Sequence, residues 1–189
     1  MAAIVPSDKP YMRTGVFETW KKRMPWLLLL MISATFTGKI ITSFEGALSA
    51  YVVLTAYIPM LMDTGGNAGG QASVTIIRSI SLNDIEFADL PKVIWKEFRV
   101  ALICGATLAA ANFCKLLWFD RVSMLVAAVV CLTLLVTLVA AKFIGCVLPM
   151  LAKKIGFDPA VMASPFITTI VDAVSLLTYF QIATALLGI

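Results

Sequence analysis

Two aspartates lie within long apolar stretches, where a charged side chain is costly. Asp172 follows Asp158 by about 14 residues of a largely uncharged run, which corresponds to roughly 21 Å of helix and places it near the middle of a bilayer. A carboxylate at that depth costs several kcal/mol unless it meets water, a cation or another partner. We therefore interpret Asp172 as a functional residue, and the alternative is a structural ion pair with Lys39 or Lys142.

The second acid, Asp63, precedes a polar run rich in glycine. Residues 64–71 read TGGNAGGQ, and this density of glycine loosens a helix. Unwound backbone carbonyls near Gly66 and the amide of Asn67 would then join the Asp63 carboxylate as oxygen ligands, which are the donors that hard divalent cations prefer. The alternative is that the glycines allow two helices to pack closely.

The composition excludes several classes of protein. The chain of 189 residues is 60% hydrophobic and 14% charged, against about 25% charged in average soluble domains. It contains no histidine, which excludes zinc sites and catalytic triads that need imidazole. The sequence therefore predicts an all-α integral membrane protein without nucleic-acid partners.

Some motifs in the sequence resemble those of enzymes, but each is weak evidence for catalysis. Asp63-Thr64-Gly65 spells the motif of soluble aspartic proteases, but here it ends an apolar helical run. The paired acids Asp63 and Asp172 leave an intramembrane aspartyl protease as an alternative, although the G-x-G-D signature is missing. The glycine run lacks the Gly-Lys-Ser/Thr of a phosphate loop, so no nucleotide site is expected and the chain is predicted not to be an enzyme.

Five hydrophobic segments are predicted to position the polar residues. Residues 1–23 form a cytosolic lead-in with an amphipathic helix, and residues 24–189 form the transmembrane domain. The predicted spans are about 24–42, 46–81 with an interruption near 65–66, 92–118, 122–150 and 158–187, the last capped by Asp158. Lysine and arginine lie mostly on one side, at 21–23, 78, 92, 96, 99, 153 and 154 against 115 and 121, which predicts a cytosolic N-terminus and an external C-terminus.

The two polar clusters together resemble the membrane domain of the MgtE family of magnesium transporters. The first cluster is PMLMDTGGNAGGQ at 59–71, with Arg78 after it. The second comprises Leu148-Pro149, the run beginning at Asp158, and SPFITTIVD at 164–172, closing on Tyr179-Phe180. The match covers about residues 20–189, and the order and spacing of both clusters make it specific.

The resemblance implies a homodimer in the plasma (inner) membrane, with five helices per chain and a pore at the two-fold axis lined by the second and fifth helices. It implies that Asp172 binds the permeating ion, that Asp158 lies at the cytosolic mouth and that the region of Asn67 lines the pore. The family's cytosolic N-domain and paired CBS domains have no counterpart in this sequence. The sequence therefore corresponds either to a membrane domain alone or to a naturally short form of the family. Regulation by those domains is therefore in doubt.

These observations predict a channel or transporter for divalent cations, with Mg²⁺ as the expected ion and Mn²⁺, Co²⁺ or Ca²⁺ as alternatives. Two copies of Asp172 across a two-fold axis would make a doubly negative site. Because Mg²⁺ sheds water reluctantly, we expect mostly water-mediated contacts with hydrated ions. The alternative function is a membrane scaffold subunit, in which Asp172 is paired with a lysine and no ion moves.

Overall fold

Helices make up all the regular structure in the part of the chain that the computed structural model describes, which is residues 11–160 and 165–188. Short 3₁₀ turns lie at Tyr11–Arg13, Val52–Tyr57 and Phe87–Asp89. The predicted all-α class is confirmed for these residues. The α-helices are α1 (Val16–Ser43), α2 (Glu45–Ala50), α3 (Ile58–Ser81), α4 (Leu90–Trp118), α5 (Met124–Lys154) and α6 (Pro165–Leu187).

Helix α5 lies at the centre of the bundle and contacts α3, α4 and α6. It begins where Ser123 Oγ accepts a hydrogen bond from the backbone N–H of Val126, which is a typical N-cap. The uncharged run from Val122 to Ala141 explains its position, since a helix that is apolar all round is stable only when surrounded by other helices or lipid. Leu134 and Leu138 of this run are buried in the main core.

Helix α1 packs on the periphery, mainly against α6. At its C-terminal end the Phe44 ring stacks on Phe180 of α6, with ring centroids 4.7 Å apart. No break separates residues 16–23 from the apolar part of α1, so the predicted boundary between a lead-in and a first span at residue 23 is not marked in the fold. Residues 1–10 of the predicted lead-in lie outside the described residues.

The predicted interruption near residues 65–66 is wrong. Helix α3 runs unbroken through Gly65 and Gly66, and the irregular part of the segment comes earlier, between Ala50 and Ile58. There the buried Tyr179 hydroxyl donates a hydrogen bond to the Leu54 carbonyl at 3.0 Å, which fixes the irregular backbone to α6. The glycines do not unwind the helix because neighbouring helices pack directly against them, as described below.

The predicted start of the last helix at Asp158 is also wrong. Residues 159–160 form a turn, in which the Ala160 N–H donates a hydrogen bond to Asp158 Oδ1 at 2.9 Å. The side chain of Asp158 therefore stabilises a turn of the loop rather than the first turn of a helix. The described part of the last helix begins at Pro165.

Within the described ranges, four helices are long and apolar enough to cross a membrane. They are α1, α4 with the 3₁₀ turn before it (Phe87–Trp118), α5, and α6 from Phe166 to Leu187. The 24-residue helix α3 is not among these four. The structure thus supports a multi-pass membrane protein.

Candidate ion-binding site

Polar side chains follow one exposed stripe of α3. Asp63, Asn67 and Gln71 are spaced four residues apart, which places them on one face of a helix, and all three are exposed on this chain. The opposite face carries Gly65, Gly69 and other small residues and is buried. Helix α3 therefore presents a polar face outward and a face of small residues to the bundle.

The glycines of α3 are packing positions. A methyl group built on Gly65 would lie 2.7 Å from Thr137 Cγ2 of α5, and one on Gly69 would lie 3.1 Å from the backbone oxygen of Ala141. A methyl group on Gly145 of α5 would collide with the carbonyl oxygen of Gly69. The absence of side chains at these positions allows the backbones of α3 and α5 to come together. The close-packing alternative is thus correct, and the premise of unwound carbonyls near Gly66 is wrong.

Asp172 lies on α6 against this part of α3. Its side chain is half-buried, and its Oδ1 atom would be 3.9 Å from a methyl group built on Gly66. Asp63 lies about one helical turn before Gly66 on α3, and therefore on the same part of that helix. The fold thus brings Asp63, Gly66 and Asp172 together, with Asn67 next to Gly66 on the exposed side of the helix.

The proposed partner lysines of Asp172 are engaged elsewhere or exposed. Lys142 of α5 forms an ion pair with Glu97 of α4, at 3.3 Å between Nζ and Oε2, and the two side chains are only 9% and 14% exposed. Lys39 is exposed on α1. Among the described residues no lysine pairs with Asp172, so the alternative of a structural ion pair with Lys39 or Lys142 is wrong for this chain.

Sequence reasoning missed the partnership of Lys142 with Glu97. The available signal was that Lys142 is a single charge after 20 consecutive uncharged residues, so it needed a partner of opposite sign as much as Asp172 did. Glu97 looked like one member of a charged first turn of its helix. Only the packing of α4 on α5 shows that it faces the bundle.

Two other acids lie apart from the Asp172 region. Asp120, in the turn after α4, accepts hydrogen bonds from Lys115 Nζ at 2.6 Å and from the Tyr57 hydroxyl at 3.2 Å. The hydrogen bond from Lys115 holds the pKa of the Asp120 carboxyl below its ordinary value. Asp158 is exposed in the loop before α6. Within residues 11–160 and 165–188 there is no group of three or more His, Cys, Asp or Glu side chains placed to hold a metal ion.

Comparisons with known proteins agree on one family. A family model described as MgtE, divalent cation transporter, matches residues 58–182. The chain is 34% identical over 187 residues to the magnesium transporter MgtE of Thermus thermophilus, covering 99% of this chain and 41% of that protein. It is 34% identical over 173 residues to the MgtE of Bacillus subtilis (91% and 38% covered). It is 32% identical over 163 residues to that of Enterococcus faecalis (86% and 36% covered). The chain spans about two fifths of the length of these relatives.

Proposed function

The chain belongs to the MgtE family of divalent cation transporters, and from that premise we propose that two copies of it form a membrane pathway for hydrated Mg²⁺. The members of this family are transporters and not enzymes, in agreement with the prediction from the sequence.

The observation that carries the proposal is the polar stripe of α3 beside Asp172. Asp63, Asn67 and Gln71 are exposed on a helix that packs within a bundle of membrane-spanning helices. Exposed polar and charged groups at membrane depth require water or protein rather than lipid. We therefore place this stripe against a water-filled passage, with a second copy of the chain on the other side.

The chemistry of the stripe suits a hard divalent cation. Its groups are carboxylate and amide oxygens, which Mg²⁺ prefers over nitrogen and sulfur. Two copies of Asp172 across a two-fold axis would provide two negative charges, and the two copies of Asp63 would make the electrostatic potential of the site more negative. Gly66 serves in this arrangement as a spacer that lets α6 bring Asp172 close to α3, rather than as a ligand through an open carbonyl.

Hydrated ions would pass through this site under the membrane potential. Mg²⁺ gives up its water slowly, so carboxylate-to-water contacts allow binding weak enough for release. An inside-negative potential of 100 mV favours entry of a divalent ion by about 4.6 kcal/mol. Mn²⁺, Co²⁺ and Ca²⁺ share the preference for oxygen ligands and are the competing cargoes.

The proposed topology has α3 as a fifth span. Its 24 residues extend about 36 Å, which is enough to cross the hydrocarbon core. Five spans put the N-terminus in the cytosol and the C-terminus outside the plasma membrane. The basic residues at the start of α4 and at the end of α5 then lie on the inner side. Asp158, in the loop between α5 and α6, then lies at the inner mouth.

Transport measurements in vesicles test the proposal. The full chain is reconstituted in liposomes that contain a Mg²⁺-sensitive dye, and uptake is compared for the wild type, Asp172→Asn and Asp84→Asn. Asp84 is an exposed acid in the loop after α3 and serves as the matched control. We expect Asp172→Asn to lower uptake at least about tenfold, which corresponds to about 1.4 kcal/mol of lost ion stabilisation, and Asp84→Asn to leave it unchanged. Full uptake by Asp172→Asn would overturn the site.

A further inference from the structure

An apolar groove runs between α4 and α5 on the surface of the bundle. It has a volume of about 460 Å³, and none of its lining side chains is charged. Its lining includes three aromatic rings, of which Trp95 is 59%, Phe98 37% and Phe143 49% exposed. The α4 side is formed by Ile94, Trp95 and Phe98, and the α5 side chiefly by Val136, Val139 and Phe143.

A positively charged side chain, that of Arg99, lies at one edge of this groove. The guanidinium of Arg99 is 5.7 Å from the centre of the Trp95 ring, and the Arg99 Nε donates a hydrogen bond to the Trp95 carbonyl. Trp95 stacks on Phe98 in turn, with ring centroids 5.8 Å apart. Arg99 is exposed and forms no ion pair within the described part of the chain, so its charge is available to an anion.

The charge pattern of α4 indicates that the groove lies at the level where hydrocarbon meets headgroups. The residues of α4 before Val100 include Lys92, Lys96 and Arg99, whereas residues 100–114 are uncharged. Tryptophan and other aromatic residues concentrate at this level of a membrane protein, and arginine extends toward the phosphates. Val136 and Val139 lie farther along α5 into its uncharged run, so the groove continues from the headgroup level into the hydrocarbon.

We propose that the groove between α4 and α5 is a binding site for one anionic phospholipid, with an acyl chain between Trp95, Phe98 and Phe143 and the phosphate on Arg99. An apolar channel suits an acyl chain, and a cation beside an aromatic belt suits the phosphate of the same molecule. Guanidinium binds phosphate in a planar, two-pronged geometry, which makes Arg99 a better anchor than a lysine. The site is separate from the polar stripe of α3, and its test does not depend on ion transport.

Quenching of tryptophan fluorescence by brominated lipid tests the proposal. The full chain is placed in vesicles of equal parts phosphatidylcholine and phosphatidylglycerol, with bromine on the acyl chains of only one lipid at a time. The chain has four tryptophans, so the Trp95 component is obtained by subtracting the signal of Trp95→Phe. We expect the Trp95 component to show about a five-fold preference for brominated phosphatidylglycerol, which is about 1 kcal/mol.

Two charge variants test which side chain causes the preference for phosphatidylglycerol. Each is measured with and without Trp95→Phe, so that the Trp95 component can be obtained by subtraction. Arg99→Gln is expected to reduce the preference to about one. Lys96→Gln is the matched control, because Lys96 lies one turn away and lines a different cavity, beside Glu97 and Lys92, so the preference is expected to remain.

Three results would overturn the proposal. Equal quenching of Trp95 by both lipids means that only bulk hydrocarbon contacts the groove. Absence of quenching by either lipid means that protein, such as a second copy of the chain, covers it. Equal loss of the preference in Arg99→Gln and Lys96→Gln means that a diffuse basic surface, rather than a built site, attracts the anionic lipid.

Discussion

Lys142 is the one charged residue that is buried in the described part of the molecule, and it pairs with an acid of another helix. Lys142 and Glu97 lie 3.3 Å apart, at 9% and 14% exposure, and join the central helix α5 to α4. Each charge is stable there because the other neutralises it, and neither would be stable alone. The contribution of this ion pair to the stability of the fold is therefore best measured by removing one partner at a time.

We expect Lys142→Met or Glu97→Leu alone to lower the free energy of unfolding by about 3–5 kcal/mol, because each leaves an uncompensated buried charge. The double variant Lys142→Met with Glu97→Leu is expected to recover most of that loss. Thermal unfolding of the detergent-solubilised chain measures both effects. Lys92→Met is the control, since Lys92 is 85% exposed in its pair with Asp89 and its removal should cost about 1 kcal/mol or less. Additive losses in the double variant would contradict this account.

The pair of Asp120 with Lys115 predicts a dependence of stability on pH. The pKa of Asp120 is lowered in the folded chain, so its stabilising effect is present above the ordinary carboxyl value of about 3.9 and is lost as the pH falls through the lowered value. The difference in stability between the wild type and Asp120→Asn should therefore shrink on acidification below about pH 4. Thermal unfolding of both proteins from pH 7 to pH 3 measures it, and a constant difference would refute the assignment.

At the scale of elements, the contact of α3 with α5 depends on residues that lack side chains. A methyl group at residue 145 would clash with the carbonyl oxygen of Gly69 and would lie 3.0 Å from the carbonyl carbon of that residue. These are backbone atoms, which cannot move away without displacing a helix. Small residues therefore set the distance between the helix that carries the polar stripe and the centre of the bundle.

Gly145→Ala is expected to destabilise the chain by about 1–3 kcal/mol, because the added methyl group overpacks the contact between α3 and α5. Gly38→Ala in α1 is the control, since nothing lies within 4 Å of a methyl group there. Its expected effect is neutral or stabilising by up to about 1 kcal/mol, because alanine favours a helix over glycine. Thermal unfolding of the two variants compares them, and equal stability would contradict the packing argument.

At the scale of the whole molecule, the proposed dimer predicts which helix faces are near a second copy. Asn67 is on the exposed stripe of α3, and Ile103 is 70% exposed on α4. In a Cys114→Ser background, which removes the exposed native thiol, Asn67→Cys should cross-link to a second chain with a short bifunctional thiol reagent, and Ile103→Cys should not. Denaturing gels after treatment in native membranes provide the measurement. Cross-linking through Ile103→Cys alone would place the interface on another face.

Much of the architecture is readable from local patterns along the chain. Long uncharged runs predict helices that cross a membrane, because hydropathy is a property of consecutive residues. The two polar clusters pointed to the family because residue types and their spacing along the chain can be compared without knowing any contact between distant segments. The polar stripe and Asp172 likewise stood out in the sequence, since a charge in an apolar run is visible without any contact.

Contacts between distant segments required the folded chain. The same glycines are compatible with an unwound or a closely packed helix, and the choice depended on whether Thr137 and Ala141 of α5 lie against them. For Lys142 the sequence suggested only Asp172 as a partner, whereas the packing of α4 on α5 pairs it with Glu97, which is 45 residues away along the chain. Such choices depend on the energy of packing side chains from different helices, which no local pattern contains.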